Sequence, residues 1–215
     1  MKLVTEKSAL ITAGSTWVAL DKVRVISNSA SGETGLILAQ QLRESGVKVT
    51  LLLGPGDYFQ SKIPGVKIIN FRYFAELKRL INSELKRQSY SAVIHTAAVA
   101  DYKPERIIQR KVSSRLNNWK ISLVPTEKLI CNLRNYSPAL IAVGFKFEPD
   151  ARKEELIKRG SQLLKQANLD IVVANSSRNK LYQAFILEKN GKYGPFLTKH
   201  KMARCLLKML KNKLD

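Results

Sequence analysis

The sequence predicts an α/β fold, Rossmann-like, with a mostly parallel sheet, helices on both faces and an appended β-hairpin. Three observations predict it. Short apolar runs alternate with helical patterns along the whole chain, which is how a parallel sheet with crossover helices is written. Gly- and Ser-rich stretches fall after strand-like runs, where such sheets collect ligands. Near the end, Asn190-Gly191 separates two short strand patterns, a hairpin signal.

Residues 8–13 read as the first strand. Residues 34–45 carry apolar side chains at Leu36, Ala39 and Leu42 and stop at Gly46, as a helix does. Residues 47–53 form a second strand closed by Gly54-Pro55-Gly56, residues 66–71 a third, and residues 74–86 a helix with a basic outer face. Residues 91–97 are apolar enough for a central strand. From 101 to 118 neither a period of 2 nor one of 3.6 survives, and so long a loop in a compact domain is usually functional. Residues 120–124 then read as a strand, 126–135 as a helix, 140–145 as a strand, 151–167 as a helix and 170–174 as a strand. Residues 183–188 and 196–198 flank the hairpin turn. The C-terminal segment 199–215 places Met202, Leu206, Met209 and Leu210 on one helical face, with lysines on the others. Residues 1–215 are expected to form one domain, with a flexible lid at 103–118.

Composition narrows the function classes. With 45% hydrophobic and 25% charged residues, the chain is neither disordered nor fibrous. No apolar run approaches the ~18 residues of a membrane span. The polar residues 1–7 lead straight into the first strand with no cleavage site, so no signal peptide and a cytoplasmic location are expected. Cys131 and Cys205 lack metal-ligand spacing and read as buried thiols. The formal charge of +20 favours anionic partners. Its spread over many helices argues against a nucleic-acid module, whereas Arg106, Arg110, Lys111 and Arg115, with Lys120 just beyond, fall in or beside the patternless segment.

The strand ends carry the chemistry. Thr12-Ala13-Gly14-Ser15-Thr16 is small and hydroxyl-rich, able to bring amides close to an oxyanion. Ser27-Asn28-Ser29-Ala30-Ser31-Gly32-Glu33-Thr34-Gly35 opens a helix, whose first amides face a phosphate or carboxylate. No G-x-G-x-x-G fingerprint and no Tyr-x-x-x-Lys pair is present, which disfavours an NAD(P)-dependent reductase. In Ala97-Ala98-Val99-Ala100-Asp101, small residues admit a flat group, and Asp101 could hold a ribose hydroxyl or a metal ion. Lys111 would act as a point charge on a phosphate. The pattern predicts a nucleoside triphosphate held between a loop at 12–35 and one at 97–111.

In order and spacing these segments resemble phosphopantothenate-cysteine ligase. Ile11 to Gly14, then Asp21, Val23, Arg24 and Ile26-Ser27-Asn28, resemble its first signature, continued by Ser31-Gly32 and Gly35. The string from Ala97 to Pro104, the pair Lys111-Val112, Val143-Gly144-Phe145 and the run from Asp170 to Asn175 resemble four further ones. The resemblance implies a two-step reaction. The carboxylate of 4'-phosphopantothenate attacks the α-phosphate of CTP or ATP and expels pyrophosphate, and the amine of L-cysteine then displaces the nucleoside monophosphate. It implies Asn28 at the acyl group of the intermediate, Lys111 at the phosphates and Asp101 on the ribose or cation side. Ala97, Ala98 and Phe145 would frame the base, with Gly14, Ser31 and Gly32 near the anionic groups. Magnesium (Mg2+) and a homodimer are implied as well. The family's decarboxylase fusion is not expected here, so ligation alone is predicted. Ser15, Ala30, Glu33, Ser113 and Ser114 depart from the family pattern, and all lie in or beside the two loops.

Overall fold

A computed structural model describes residues 7–137, 139–178 and 181–214. In chain order its elements are β1 (Ser8–Ala13), β2 (Trp17–Ala19), β3 (Val25–Ser27), α1 (Glu33–Glu44), β4 (Lys48–Leu53), β5 (Val66–Asn70), α2 (Phe74–Arg87), β6 (Ala92–His95), β7 (Tyr102–Pro104), β8 (Leu123–Pro125), a 3-10 helix (Leu129–Asn135), β9 (Ile141–Phe147), α3 (Lys153–Gln166), β10 (Ile171–Arg178), β11 (Leu181–Glu188), β12 (Gly191–Phe196) and α4 (Lys199–Leu214).

Eight strands make the main sheet, in the order β12-β11-β10-β9-β6-β1-β4-β5. From β5 to β10 every pairing is parallel. Read along the chain these six strands run 3-2-1-4-5-6, the doubly wound order whose direction reverses between β1 and β6. Alternate side chains of β1 serve opposite faces. Ile11 packs with Leu38, Leu42, Met202 and Leu206 of α1 and α4. Leu10 packs with Leu77 and Ile81 of α2 and with Leu129 and Leu133 of the 3-10 helix. Each such fully buried side chain contributes roughly 1.5–3 kcal/mol, so covering both faces is what makes the central strands read as unbroken apolar runs.

Several boundaries differ from the sequence expectation, each for a local reason. β6 stops at His95: Thr96 N–H still bonds to the β1 carbonyl of Thr12, but Ala97 N–H turns to the Thr12 hydroxyl rather than to a strand carbonyl. The expected helix 126–135 is a 3-10 helix beginning at Leu129. Thr126 is tied instead to the loop after β6, its N–H and hydroxyl donating to Asp101 O and Ala100 O. Inside the segment read as patternless, β7 pairs with β8, and β8 replaces the expected strand 120–124. The β2–β3 ribbon was not anticipated. The hairpin is present but larger: β10 runs on to pair with β11 over eight residues, and Gly191 opens β12 opposite Glu188 rather than sitting in the turn. The two cysteines are not both buried: Cys131 is exposed and Cys205 half-buried. Leu129 and Leu133 take the inward positions around Cys131, and Cys205 flanks the buried α4 stripe of Met202, Ala203, Leu206 and Leu210.

Candidate active site

The strand-order reversal leaves a crevice above β1 and β6, and backbone contacts knit three loops around it. Gly14 adopts φ +78°, and a Cβ there would lie 2.3 Å from Gly54 O, so no side chain fits between the loops after β1 and β4. Ser15 N–H and hydroxyl both donate to Pro55 O, at 2.8 and 3.0 Å. Across the crevice, Ala98 N–H donates to Gly14 O at 2.8 Å and Ala100 N–H to the Thr16 hydroxyl at 2.9 Å. The end of β6 is thus an irregular continuation of its pairing with β1, its small side chains leaving backbone open above.

The Asn28 loop closes on the same place. The Asn28 amide donates to Val99 O at 3.1 Å and Ala98 O at 3.4 Å, and the Ser27 hydroxyl donates to Ser15 Oγ at 3.0 Å. Gly32, at φ +86°, caps α1 close above Gly14, where an added Cβ would lie 3.4 Å from Gly14 N. Ser31 Oγ accepts from Glu33 N–H. Gly14, Asn28, Ser31, Gly32, Ala97 and Ala98 therefore belong to one knot of loops. Two departures from the family pattern are absorbed into it. Ser15 is buried and bonded on both sides, and Glu33 pairs with Lys199 of α4.

Beside the knot, on the α3 face, lies a cleft of about 380 Å³ lined among others by His95, Ala97, Val99, Asp101, Phe145 and Arg159. The Asp101 carboxylate accepts from Lys128. Phe145, near the end of β9, lines the cleft and also packs against the α1 and α4 cluster. No group of three or more His, Cys, Asp or Glu side chains able to hold a metal exists among the described residues.

Lys111 stands apart from the cleft lining, held by a latch. Val112 N–H donates to Asp21 Oδ2 at 3.0 Å, and Arg24 Nη1 donates to Val112 O at 3.0 Å and to Asp21 Oδ2 at 2.7 Å. Asp21 Oδ1 accepts the N–H groups of Val23 and Arg24, both at 2.7 Å. Burial raises the Asp21 pKa, but these bonds from Val112, Val23 and Arg24 outweigh it and hold the carboxyl at about 2. Arg24 also stacks over Trp119, and Ile108 N–H donates to Leu20 O. The β2–β3 ribbon thus docks the 103–118 segment. The Lys111 side chain itself is exposed, with no ion pair among the described residues. Sequence reasoning missed His95, whose polar ring breaks an apolar strand, and missed Arg159, a basic residue on a long amphipathic helix with nothing to set it apart.

Residues 4–214 match the family described as the DNA/pantothenate metabolism flavoprotein C-terminal domain. The chain belongs to that family. Among curated relatives of this C-terminal domain, the coenzyme A biosynthesis bifunctional protein of Borreliella burgdorferi is 32% identical over 95% of the chain, and that of Thermococcus kodakarensis 32% identical over 81%. The chain spans about half their length, 52% and 42%. Of solved structures, a C-terminal domain of a coenzyme A biosynthesis bifunctional protein aligns at 25% identity with a TM-score of 0.78, covering 97% of this chain and 95% of that one. The DNA/pantothenate metabolism flavoprotein of Streptococcus pneumoniae shares the fold, with a TM-score of 0.84 at 23% identity, covering 96% and 99%.

Proposed function

We propose that this chain is a phosphopantothenate-cysteine ligase, joining 4'-phosphopantothenate to L-cysteine through an acyl-nucleotidylate, with CTP or ATP as co-substrate. Besides family membership, the observation that carries the reading is the bond from Asn28 to the carbonyls of Val99 and Ala98. It joins the loop assigned to the acyl group to the loop assigned to the nucleotide, and two reactants must meet at such a join. In the first step a carboxylate oxygen attacks the α-phosphorus and pyrophosphate leaves, taking the bonding electrons. Lys111 supplies positive charge to the phosphates as that charge builds. In the second, the cysteine amine attacks the acyl carbon, loses a proton, and the nucleoside monophosphate departs. Asn28, its amide anchored from behind, positions the acyl group.

The base is assigned to the cleft at Ala97 and Phe145, with Ala98 in the adjoining loop and with Asp101 and its partner Lys128 on the ribose side. Gly14, Ser31 and Gly32 face the anionic groups. Magnesium would neutralise charge on the triphosphate as its counterion, with Asp101, paired to Lys128, the nearby carboxylate of the cleft. The 103–118 segment acts as a lid hinged on the Asp21 latch. A homodimer is proposed on the edge strand β12 and the exposed Leu181, Tyr193 and Leu197 beside it. Light scattering at working concentration should give twice the chain mass. We also assign the chain to the cytoplasm, in line with its two free thiols.

Two substitutions separate the steps. Lys111→Gln is expected to cut pyrophosphate release by about 100-fold. Asn28→Asp is expected to leave pyrophosphate release measurable while transfer to cysteine fails. Unchanged pyrophosphate release in Lys111→Gln overturns the role given to that residue.

A further inference from the structure

We propose that His95 is a specificity-determining residue, donating its Nε2–H from the floor of the cleft to an acceptor atom on the base of the nucleotide. The inference rests on the reading of the cleft as a nucleotide site and goes beyond it by naming a polar contact at its base.

The ring sits at the end of β6, buried, on the sheet face that carries the 3-10 helix and α3. Its Nδ1 lies 2.9 Å from the hydroxyl of Thr12, which is wholly buried on the neighbouring strand β1. That hydroxyl also accepts Ala97 N–H at 3.4 Å. With one lone pair so used, the hydroxyl hydrogen needs an acceptor, and His95 Nδ1 is the one within reach. Leaving a buried hydroxyl hydrogen unpaired would cost about 1–3 kcal/mol. The Thr12 hydroxyl therefore donates to Nδ1, which places the ring proton on Nε2. Nε2 has no hydrogen-bond partner among the described residues and is not sealed from solvent, so it opens on the cleft that His95 lines. Burial pushes the His95 pKa down to about 4, so at neutral pH the ring is an uncharged donor.

The surroundings choose the ligand group. Around His95 the inner walls are apolar, from Ala97, Val99, Leu129 and Leu163, whereas the charged Asp101, Lys128 and Arg159 are exposed at the mouth. A triphosphate, assigned to Lys111 and to the glycine loops outside the cleft, is mismatched by this apolar floor. A flat heteroaromatic base, mostly apolar with a few acceptor atoms at its edge, fits the floor. The neutral N–H gives that edge one fixed partner. A base lacking an acceptor there would leave the donor unpaired, the mechanism by which polar sites discriminate.

The test is an equilibrium titration of wild type, His95→Phe and His95→Gln with CTP, with ATP and with inorganic tripolyphosphate, which has charge but no base. His95→Phe should weaken the better-bound nucleotide about 10-fold and change tripolyphosphate binding by less than about 2-fold. His95→Gln, which keeps an N–H near the same place, should recover most of the loss. Thr12→Val, which frees the ring from its fixed tautomer, should weaken the nucleotide by about 3-fold and serves where His95→Phe does not fold. The proposal is overturned if His95→Phe binds the nucleotide as wild type does, or if nucleotide and tripolyphosphate weaken together. A wild type that binds both nucleotides no better than tripolyphosphate removes the nucleotide reading of the cleft itself, and the role of His95 with it.

Discussion

At Gly14 the requirements of the site and of the fold coincide. The residue needs φ +78° and has Gly54 O where a Cβ would go. Gly14→Ala should therefore destabilise the fold by roughly 2–5 kcal/mol, combining left-handed strain with a backbone clash, as urea unfolding would measure. His95 is the other residue whose setting makes a prediction. Its folded pKa of about 4 lies below the ordinary 6.5. The unfolded chain then binds a proton at a higher pH than the folded one does. Stability from this group is complete above pH 6.5 and is lost progressively as pH falls toward 4. Thermal melts from pH 7 to 4 should show a shallower decline in His95→Gln than in wild type. Gly14 was legible in the sequence because a glycine after a buried strand has few other uses. His95 was not, because one polar residue in an apolar strand gives no sign of which neighbour it bonds or which cavity it faces.

Among the elements, the β2–β3 ribbon matters most for the candidate site. Through Asp21 and Arg24 it grips both the N–H and the C=O of Val112, next to the lysine assigned to the phosphates. Asp21→Asn cannot accept from Val112 N–H and Arg24 as the carboxylate does. Trypsin should then cut faster at Arg110, Lys111 and Arg115, with turnover reduced about 10-fold by a displaced Lys111. Cleavage and turnover like wild type would show that the latch does not set the lysine. The ribbon was invisible to periodicity since three-residue strands carry no period, and its partner contacts span about 90 residues of sequence. The 3-10 helix was misread as an ordinary helix for a related reason. The apolar spacing of Leu129 and Leu133 suits either, and the hold of Ala100 and Asp101 on Thr126 is a tertiary fact.

Over the whole molecule, the parallel sheet was the most legible feature, because strands buried on both faces leave unbroken apolar runs between amphipathic helices. The extent of the β10–β11–β12 meander was less so, since Tyr182 and Gln183 blur the alternation where β11 begins. The charge of +20 acts at this scale too. It should draw anionic substrates to the site, so kcat/KM for the nucleotide should fall several-fold between about 50 and 300 mM salt, while kcat changes little. All of these effects serve the ligation. The measurement that bears on it most directly is pyrophosphate release by the wild-type chain with 4'-phosphopantothenate, L-cysteine and magnesium, run in parallel with CTP and with ATP. Release should require phosphopantothenate and one of the two nucleotides and match the phosphopantothenoylcysteine formed. Release independent of phosphopantothenate, or none with either nucleotide, would contradict it.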